Sequence, residues 1–282
     1  MDGRGINILR EMQLFLDPTQ RGHVQVHLGG TKVLAVVTAS LTRPYADRPA
    51  EGVVNYFSSL SSVTTVSVTN GSSWGETGTA GNEDEEAGAT VQRLVDRFLK
   101  NTRLVDTESL CIVPGETVWT VRVDVHILDY DGSLIDVVTA AALAALLDYR
   151  RPEVSVGDDG LTVTVHSSFE RHPVPLTLQN PSVAVSFALL DPEAAASDHA
   201  TKLSGEVLAV ADPTALEEAL GGARLVMALS RKGEVMGIVK TGGEAINVEV
   251  IQGECYFIAR SRAIAVIDQI NATIAATRSQ PK

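Results

Sequence analysis

The first regular pattern along the chain is an alternation of apolar and polar residues on both sides of a glycine pair. Apolar residues from Val24 to Leu28 alternate with polar ones before Gly29-Gly30, and a second apolar run follows. Alternation with a period of two is typical of a half-buried strand, and a glycine pair supplies the positive φ angles that a tight turn needs. Residues 23–41 are therefore predicted to form a β-hairpin.

Further along the chain, the apolar spacing changes to that of a helix and then returns to that of a strand. Apolar side chains recur at helical spacing between residues 91 and 99, and they alternate strictly over residues 119–127. The next stretch, "SLIDVVTAAALAALLDY", is rich in Ala and Leu on every side, which predicts a helix buried all round. The apolar positions are Val91, Leu94, Val95, Phe98 and Leu99 in the first helix, and Trp119, Val121, Val123, Val125 and Ile127 in the strand.

Strands and a closing helix are predicted again after the proline-containing "ERHPVPL". "SVAVSFALLD" and "ARLVMALSRKGEVMGIVKTGG" have the composition of strands, with a turn at Lys232-Gly233, and isoleucines at helical spacing mark one side of the closing helix. The polar stretches 66–86 and 191–206 are predicted loops. This order indicates an α+β or α/β protein of two similar lobes, residues 1–152 and residues 153–282. The isoleucines of the closing helix are Ile264, Ile267, Ile270 and Ile274.

Composition narrows the class of protein without identifying its chemistry. Of the 282 residues, 44% are hydrophobic and 21% are charged, which suits a globular fold with a sizeable core. The formal net charge of −12 disfavours a domain that grips nucleic acid alone, because each phosphate contact needs Lys or Arg. Cys111 and Cys255 have apolar neighbours and are expected to be reduced, packed thiols. The chain has no apolar run of membrane-spanning length and no apolar signal core, so we expect a protein of the cytoplasm or nucleus.

The first candidate site is the acidic turn "DYDGSLID". Its three carboxylates are those of Asp129, Asp131 and Asp136. They could be catalytic acids, metal ligands, or parts of a turn and a helix cap. The start of the following helix attracts anions, but Leu134 and Ile135 have no side-chain donor to offer a phosphate there. The residues therefore favour a structural turn, in which Ser133 caps the helix and Asp136 lies in its first turn, where a carboxylate suits the helix dipole.

A second acidic cluster, "ADPTALEEAL", contains Asp212, Glu217 and Glu218. Carboxylates at this spacing could meet at a helix start and hold Mg²⁺, or one of them could act as a general acid. The structural alternative makes Asp212 the N-cap of a helix, with Pro213 at the first helical position and both glutamates on a solvated face.

Basic residues form the third candidate, near the end of the first long helix. Arg93, Arg97 and Lys100 share one face of that helix, and Arg103 follows closely. They could line a path for RNA phosphates. The alternative is a solvated face whose charges pair with Asp96 and other nearby acids.

Several stretches resemble the RNase PH family, above all "DTESLCIVPGETVWTVRVDVHILDYDGSLIDVVTAAALAALLDYRRPEVSV". Similar stretches elsewhere are "DGR", "GGTKVLAVVTASL", "RPYADRPAEG", "HPVPL" and "KTGG". More narrowly, the chain resembles the RNase PH-like ring subunits of the eukaryotic RNA exosome, of the polymyositis/scleroderma autoantigen type. The resemblance implies an α+β fold of two ribosomal-S5-domain-2-like βαβ lobes, with six such proteins in a ring around an RNA channel.

The resemblance also implies where an active site would lie. Active members phosphorolyse the 3′ end of RNA, holding phosphate with a Thr-Arg pair after the DG turn and an Arg ahead of the first long helix, while an Asp pair supports catalysis. Here Leu134 and Ile135 replace the Thr-Arg pair, and Ala87 falls near the position of the other Arg. Asp212 and Glu218 retain the acidic pair in part. We therefore expect no catalytic residue, metal or cofactor.

The resulting hypothesis is a non-catalytic structural subunit of the exosome ring that supports 3′–5′ RNA degradation and processing, including rRNA maturation. Its expected partners are other RNase PH-like ring subunits, KH-domain cap proteins, a hydrolytic nuclease and RNA within the assembled channel, but no membrane. Arg97, Lys100 and Arg103 are the candidate RNA contacts, and the expected location is the nucleus, including the nucleolus, and the cytoplasm. The alternatives are an active phosphate-dependent 3′–5′ exoribonuclease and a divalent-metal hydrolase that uses the second acidic cluster.

Overall fold

The computed structural model describes residues 4, 8–60, 93, 95–100, 102–190, 208–221, 223–243 and 246–279. The predicted loops at 66–86 and 191–206 and the position of Ala87 lie outside these residues.

The first sheet is built from the alternating segments of the first half of the chain. Its strands are β1 (Met12–Leu16), β2 (His23–Leu28), β3 (Thr31–Thr42), β4 (Val53–Leu60), β5 (Cys111–Val113) and β6 (Thr117–Asp129). The order across the sheet is β1-β2-β3-β6-β4, with β5 paired to β6 and β4 parallel to β6. The predicted hairpin is confirmed, since β2 and β3 pair antiparallel across a turn in which Gly29 has φ 58°.

The first predicted helix is seen at residues 95–100 (α1), where Val95, Phe98 and Leu99 are buried as the spacing predicts. Val91 and Leu94, the other members of that stripe, lie outside the described residues or side chains.

Two small pairs of strands follow the first lobe's last helix. β7 (Arg150–Arg151) pairs with β10 (Val174–Pro175), and β8 (Val154–Val156) pairs with β9 (Val163–Val165) as an antiparallel hairpin.

The second sheet comes next, in the order β12-β11-β13-β14. Its strands are β11 (Ser182–Leu190), β12 (Leu208–Ala211), β13 (Ala223–Ser230) and β14 (Val235–Gly242). The predicted turn between the last two is confirmed, with Gly233 at φ 86°.

Helix α2 (Leu134–Asp148) lies between the two sheets and packs against β2 and β3 on one side and β11 on the other. All its residues except Leu147 are buried, which confirms the helix that the Ala/Leu-rich stretch predicts. A helix can lose contact with water on every side because it satisfies its backbone hydrogen bonds internally, whereas its apolar side chains gain about 25 cal/mol per Å² of area buried.

The described residues of the second half contain three further helices. They are α3 (Ala215–Leu220), α4 (Val248–Val250), followed by a π-helical turn (Ile251–Cys255), and α5 (Tyr256–Arg278). In α5, Ile267 and Ile270 are buried and the other two predicted isoleucines are half-buried, against β11, β13 and β1. Both sheets and both long helices share one apolar core. The division at residues 152 and 153 stays a prediction.

Candidate functional site between the two lobes

The acidic turn lies where β6 leads into α2, directly against the segment that precedes α3. Gly132 has φ 83°, and a Cβ there would overlap the carbonyl oxygen of Pro213. Ser133 occupies the N-cap position of α2, but its hydroxyl makes no capping bond and donates instead to the carbonyl of Pro213 over 3.0 Å. The predicted cap is therefore wrong, because the closely packed second lobe offers Ser133 a buried acceptor that the helix does not.

Asp212 is buried at the same junction, with 2% of its surface exposed. The backbone N–H of Arg10 donates to its Oδ2 over 2.7 Å, and the guanidinium Nη2 of Arg10 donates to Oδ1, also over 2.7 Å. Arg4 adds a third contact at 3.2 Å. The prediction that Asp212 caps the following helix is wrong, because these arginines occupy its carboxylate. Thr214 is the N-cap of α3, and its hydroxyl accepts from the backbone N–H of Glu217.

Arg10 connects this carboxylate to the acidic turn. Its guanidinium donates to the carbonyl oxygens of Asp131 over 2.9 Å and Pro213 over 3.2 Å, and it lies 3.5 Å from the Asp131 carboxylate. Burial lowers the pKa of Arg10, but the hydrogen bond and negative charge of Asp212 outweigh that effect and raise the pKa overall. Arg10 is therefore charged at any physiological pH. Its own carbonyl accepts from Arg262 over 2.7 Å, which ties this segment to α5.

Glu218 has a separate set of partners and is 3% exposed. Its carboxylate accepts hydrogen bonds from the Tyr130 hydroxyl and, over 2.8 Å, from the backbone N–H of Ser133, and Arg224 lies 3.5 Å away. Burial raises the pKa of Glu218, against the opposing attraction of Arg224. Glu217 is also buried, because its side chain completes the capping box of α3. The predicted solvated face is thus wrong for both glutamates.

Leu134 and Ile135, the residues expected in place of a phosphate-binding Thr-Arg pair, are each 2% exposed and belong to the apolar core. The first turn of α2 therefore presents neither a side-chain donor nor open space to an incoming phosphate. An anion site at a helix N-terminus needs accessible N–H groups, and here that of Ser133 is already taken by Glu218.

The two remaining carboxylates of the turn segment have unrelated surroundings. Asp136 lies in the first turn of α2, as predicted, but it is buried and accepts from the backbone N–H of Ser186 over 2.9 Å and from its hydroxyl over 2.5 Å. Burial raises the pKa of Asp136 to about 7, although the bonds from Ser186 oppose the shift. Asp129 is at the surface and pairs with Lys32 at 3.3 Å.

Chemically, this arrangement is a closed network of paired charges. Asp212 is held by arginines and Glu218 by a hydroxyl, a backbone N–H and a third arginine, so neither carboxylate is available to a substrate. Within the described parts of the chain, no group of three or more His, Cys, Asp or Glu residues is arranged to hold a metal ion. The three acids of the second cluster do not converge there, since Glu217 turns back onto its own helix start.

The candidate RNA-binding residues lie in two different places in the structure. Lys100 and Arg103 line a cleft of about 720 Å³ together with Arg48, between β4 and the segment after α1. Arg97 instead borders a small groove against β14. Lys100 also lies 3.8 Å from Asp96, so the expected pairing with that acid is present as well. The cleft therefore contains three cations, two of which the spacing had singled out, together with the carboxylates of Glu51, Asp106 and Glu108.

The cationic half of the network is what sequence reasoning missed. The residues concerned are Arg4, Arg10, Arg224 and Arg262, with Tyr130 as a neutral donor. They come from distant parts of the chain and have no common spacing. The usable signal is indirect: a carboxylate that is predicted to be buried needs a cation or several donors nearby.

Comparison with known proteins now places this fold. Residues 9–152 match the 3′ exoribonuclease family, domain 1, and residues 180–259 match domain 2 of the same family. The chain belongs to this family, the RNase PH family, which confirms the resemblance and the two-lobed α+β fold that it implies.

Within the family, the chain is similar to proteins named exosome complex component RRP45. It is 38% identical to RRP45A of Arabidopsis thaliana over 266 residues, which cover 94% of this chain and 78% of that protein. It is 34% identical to RRP45 of Homo sapiens over 243 residues, which cover 86% of this chain but 49% of that protein. Among solved structures it is similar to a chain of the Archaeoglobus fulgidus exosome with RNA bound to the active site, with a TM-score of 0.69, 25% identity, and coverage of 95% of this chain and 91% of that one. In the part of the chain that the structure describes, no helix has the length and apolar character of a membrane span.

Proposed function

We propose that this chain is a non-catalytic structural subunit of an exosome core ring. The observation that carries the proposal is the state of the inherited acidic pair. Asp212 and Glu218 are buried and fully engaged by internal partners, and the neighbouring Leu134 and Ile135 are part of the core. The names of the RRP45 relatives support the assignment to the exosome.

Phosphorolysis requires that inorganic phosphate be bound in position. In that reaction inorganic phosphate is itself the nucleophile, so the enzyme must bind it, orient it and stabilise the charge that develops on the leaving group. In this chain Leu134 and Ile135 offer no side-chain donor to a phosphate, and the backbone N–H of Ser133 already donates to Glu218. A carboxylate without a bound nucleophile has nothing to activate.

The role proposed in place of catalysis is architectural. The chain would pair with RNase PH-like neighbours in the ring, support KH-domain cap proteins and help pass RNA to a separate hydrolytic nuclease, in the nucleus, its nucleolus and the cytoplasm. Lys100 and Arg103, in the cleft with Arg48, are the proposed RNA contacts of the assembled channel. Arg97 is a weaker candidate because it borders a different groove.

The first experiment is gentle purification of the tagged chain from its own cells, followed by native mass spectrometry and an RNA degradation assay with the isolated chain. We expect a hetero-oligomer that contains other RNase PH-like proteins. The isolated chain should release no nucleoside diphosphate from single-stranded RNA in phosphate buffer, whereas an active RNase PH-family enzyme does so in parallel. Phosphate-dependent shortening by the isolated chain would overturn the proposal, as would recovery as a lone monomer.

The RNA contacts are tested in the reconstituted assembly. Lys100→Ala and Arg103→Ala should each weaken RNA binding at every sequence and reduce the slope of log affinity against log salt by about 1, as expected for a lost phosphate contact. Lys32→Ala is the matched control, because Lys32 is an exposed cation paired with a surface acid in the first sheet. An equal effect of all three substitutions would argue against a specific path through the cleft.

A further inference from the structure

The β8–β9 hairpin has an apolar face that the rest of the described chain covers only in part. Its strand register pairs Val154 with Val165 and Val156 with Val163. Directly paired residues, and residues two apart in one strand, point to the same side of a sheet. The four valines therefore form one face of the hairpin, here called the valine face.

Burial of the valine face is uneven. Val154 packs against the main core and Val163 is half-buried, whereas Val156 and Val165 are 44% and 46% exposed. Leu161, in the loop that joins the two strands, is 61% exposed. An isolated two-stranded hairpin is marginal in water unless one of its faces is packed, and this face is packed only in part.

The turn that follows the hairpin adds a single large apolar side chain. Phe169 is fully exposed, although its turn is well tied down. The backbone N–H groups of Glu170 and Arg171 donate to Ser167, and Arg171 forms a 3.0 Å ion pair with Glu153 at the base of β8. An aromatic side chain has only two torsion angles to order on binding and buries a large area, which is why such rings often anchor protein interfaces.

The opposite face of the hairpin is polar. Ser155 and Thr164 are paired there, and the Ser155 hydroxyl lies 2.8 Å from the His166 ring. The hairpin is thus amphipathic, with a polar side for water and an apolar side that is covered only in part.

Charge around the valine face narrows the kind of partner. The hairpin and its turn carry four carboxylates, those of Glu153, Asp158, Asp159 and Glu170, against the single guanidinium of Arg171. RNA is disfavoured because its phosphates would meet the excess of carboxylates on this hairpin and its turn. A second copy of the chain is disfavoured because a symmetric contact would bring two such acidic segments together.

We propose that the valine face, together with Phe169, docks a protein neighbour whose contacting surface is apolar at its centre and basic at its rim. The inference rests on the proposed function to the extent that the chain works inside an assembly. It adds to that function a specific surface and the chemistry of its partner.

Two variants test the surface without unfolding it. The double substitution Val156→Thr and Val165→Thr keeps the β-branched shape of both side chains but makes the exposed part of the face polar. Thr164→Val is the reciprocal control, since it makes the same chemical change in reverse on the opposite face. Because all three positions are exposed or nearly so, the thermal unfolding transition should be unchanged in both variants.

The partner is identified by photocrosslinking in the chain's own cells. Phe169 is replaced by p-benzoylphenylalanine, and the tagged chain is purified gently after irradiation. We expect one protein adduct, mapped by mass spectrometry to a peptide with an excess of Lys and Arg. The double valine variant should reduce that adduct about tenfold, in keeping with the loss of an interface centre, and the Thr164 variant should not.

The same samples separate this inference from the proposed function. The presence of other RNase PH-like subunits in the purified material tests ring membership, whichever adduct forms. Absence of any adduct, an adduct with RNA or with a second copy of the chain, or an adduct that the double valine variant leaves unchanged would each overturn the docking surface. An adduct with a basic protein from a sample without ring subunits would support the surface and refute the ring.

Discussion

Replacement of Arg10 by methionine tests whether the buried ion pair with Asp212 holds the lobes together. Arg10→Met keeps the length of the side chain but removes the 2.7 Å ion pair with Asp212 and the bonds to the carbonyls of Asp131 and Pro213. Both partners of the ion pair are buried, with side chains 9% and 3% exposed. Loss of one member of a buried pair typically costs about 3–5 kcal/mol, because the other charge stays buried without compensation.

Two features of the site place the expected loss near the lower end of that range. Arg4 stays 3.2 Å from Asp212 and supplies part of the missing charge, and the backbone N–H of Arg10 itself still donates to the carboxylate. We therefore expect Arg10→Met to lower the free energy of unfolding by about 3 kcal/mol. Lys32→Met is the matched control: its ion pair with Asp129 is exposed on both sides, so its loss should change stability by no more than about 0.5 kcal/mol.

The assay is urea unfolding, followed by both circular dichroism and Trp fluorescence so that a non-coincident transition would reveal independent unfolding of one lobe. A double-mutant cycle with Asp212→Asn isolates the pair. The double variant should be more stable than the sum of the single effects predicts, by about 2 kcal/mol. Additive effects, or a loss from Arg10→Met no larger than that from Lys32→Met, would refute the claim that this buried pair stabilises the fold.

Three further predictions concern the same junction. The pKa of Asp136 in the folded chain is about 7, above its ordinary value of 3.8, so between these values the folded chain retains a proton that the unfolded chain has released. The free energy of unfolding should therefore fall as the pH rises through this interval. Asp136→Asn should flatten a profile of the urea midpoint measured from pH 4 to 8. Ile135→Arg would place a potential phosphate ligand at a position that is 2% exposed. It should not restore phosphorolysis, and it should lower the free energy of unfolding by at least about 3 kcal/mol because a charge would be buried. Leu128→Arg, at a position that is 43% exposed, is the control and should leave the thermal unfolding transition unchanged. Gly132→Ala should lower the melting temperature far more than Gly115→Ala, since both glycines have positive φ but only Gly132 is packed so tightly that a Cβ would overlap neighbouring backbone; equal effects would show that the contact at Gly132 is not close.

Periodicity was enough to predict most of the fold because each long element has one dominant pattern. The β2–β3 hairpin is recognisable from its alternation and glycine pair, and α2 from an Ala/Leu-rich stretch with no polar face. What the pattern could not show is that α2 is covered by a sheet on each side, or that the two lobes share one core. Burial on all sides specifies that partners exist, but it does not specify which elements they are.

The candidate site was predicted less completely, for reasons that lie in the polar residues. Leu134 and Ile135 could be recognised as unable to bind phosphate from their chemistry alone. The solvated faces and caps assigned to the acids were wrong, because local propensity treats Asp212 and Glu218 as surface residues whereas tertiary contacts bury them. No local rule links Asp212 to an arginine two hundred positions away, so that half of the site became visible only in the folded chain.

The burial of two carboxylates at this junction has a physical explanation in this chain. A carboxylate enclosed between two lobes is tolerable only when cations or donors satisfy it, and in an active enzyme part of that role belongs to what the site binds. Here Arg10, from the N-terminal segment, pairs with Asp212, and Arg224, from β13, lies near Glu218. Each carboxylate therefore links segments that are far apart in sequence. Removal of the acid would leave its arginines buried without a counter-charge, just as removal of an arginine would leave the acid buried without one. The acidic pair would then have a structural role. The sign and size of the coupling energy between Arg10 and Asp212 test that role.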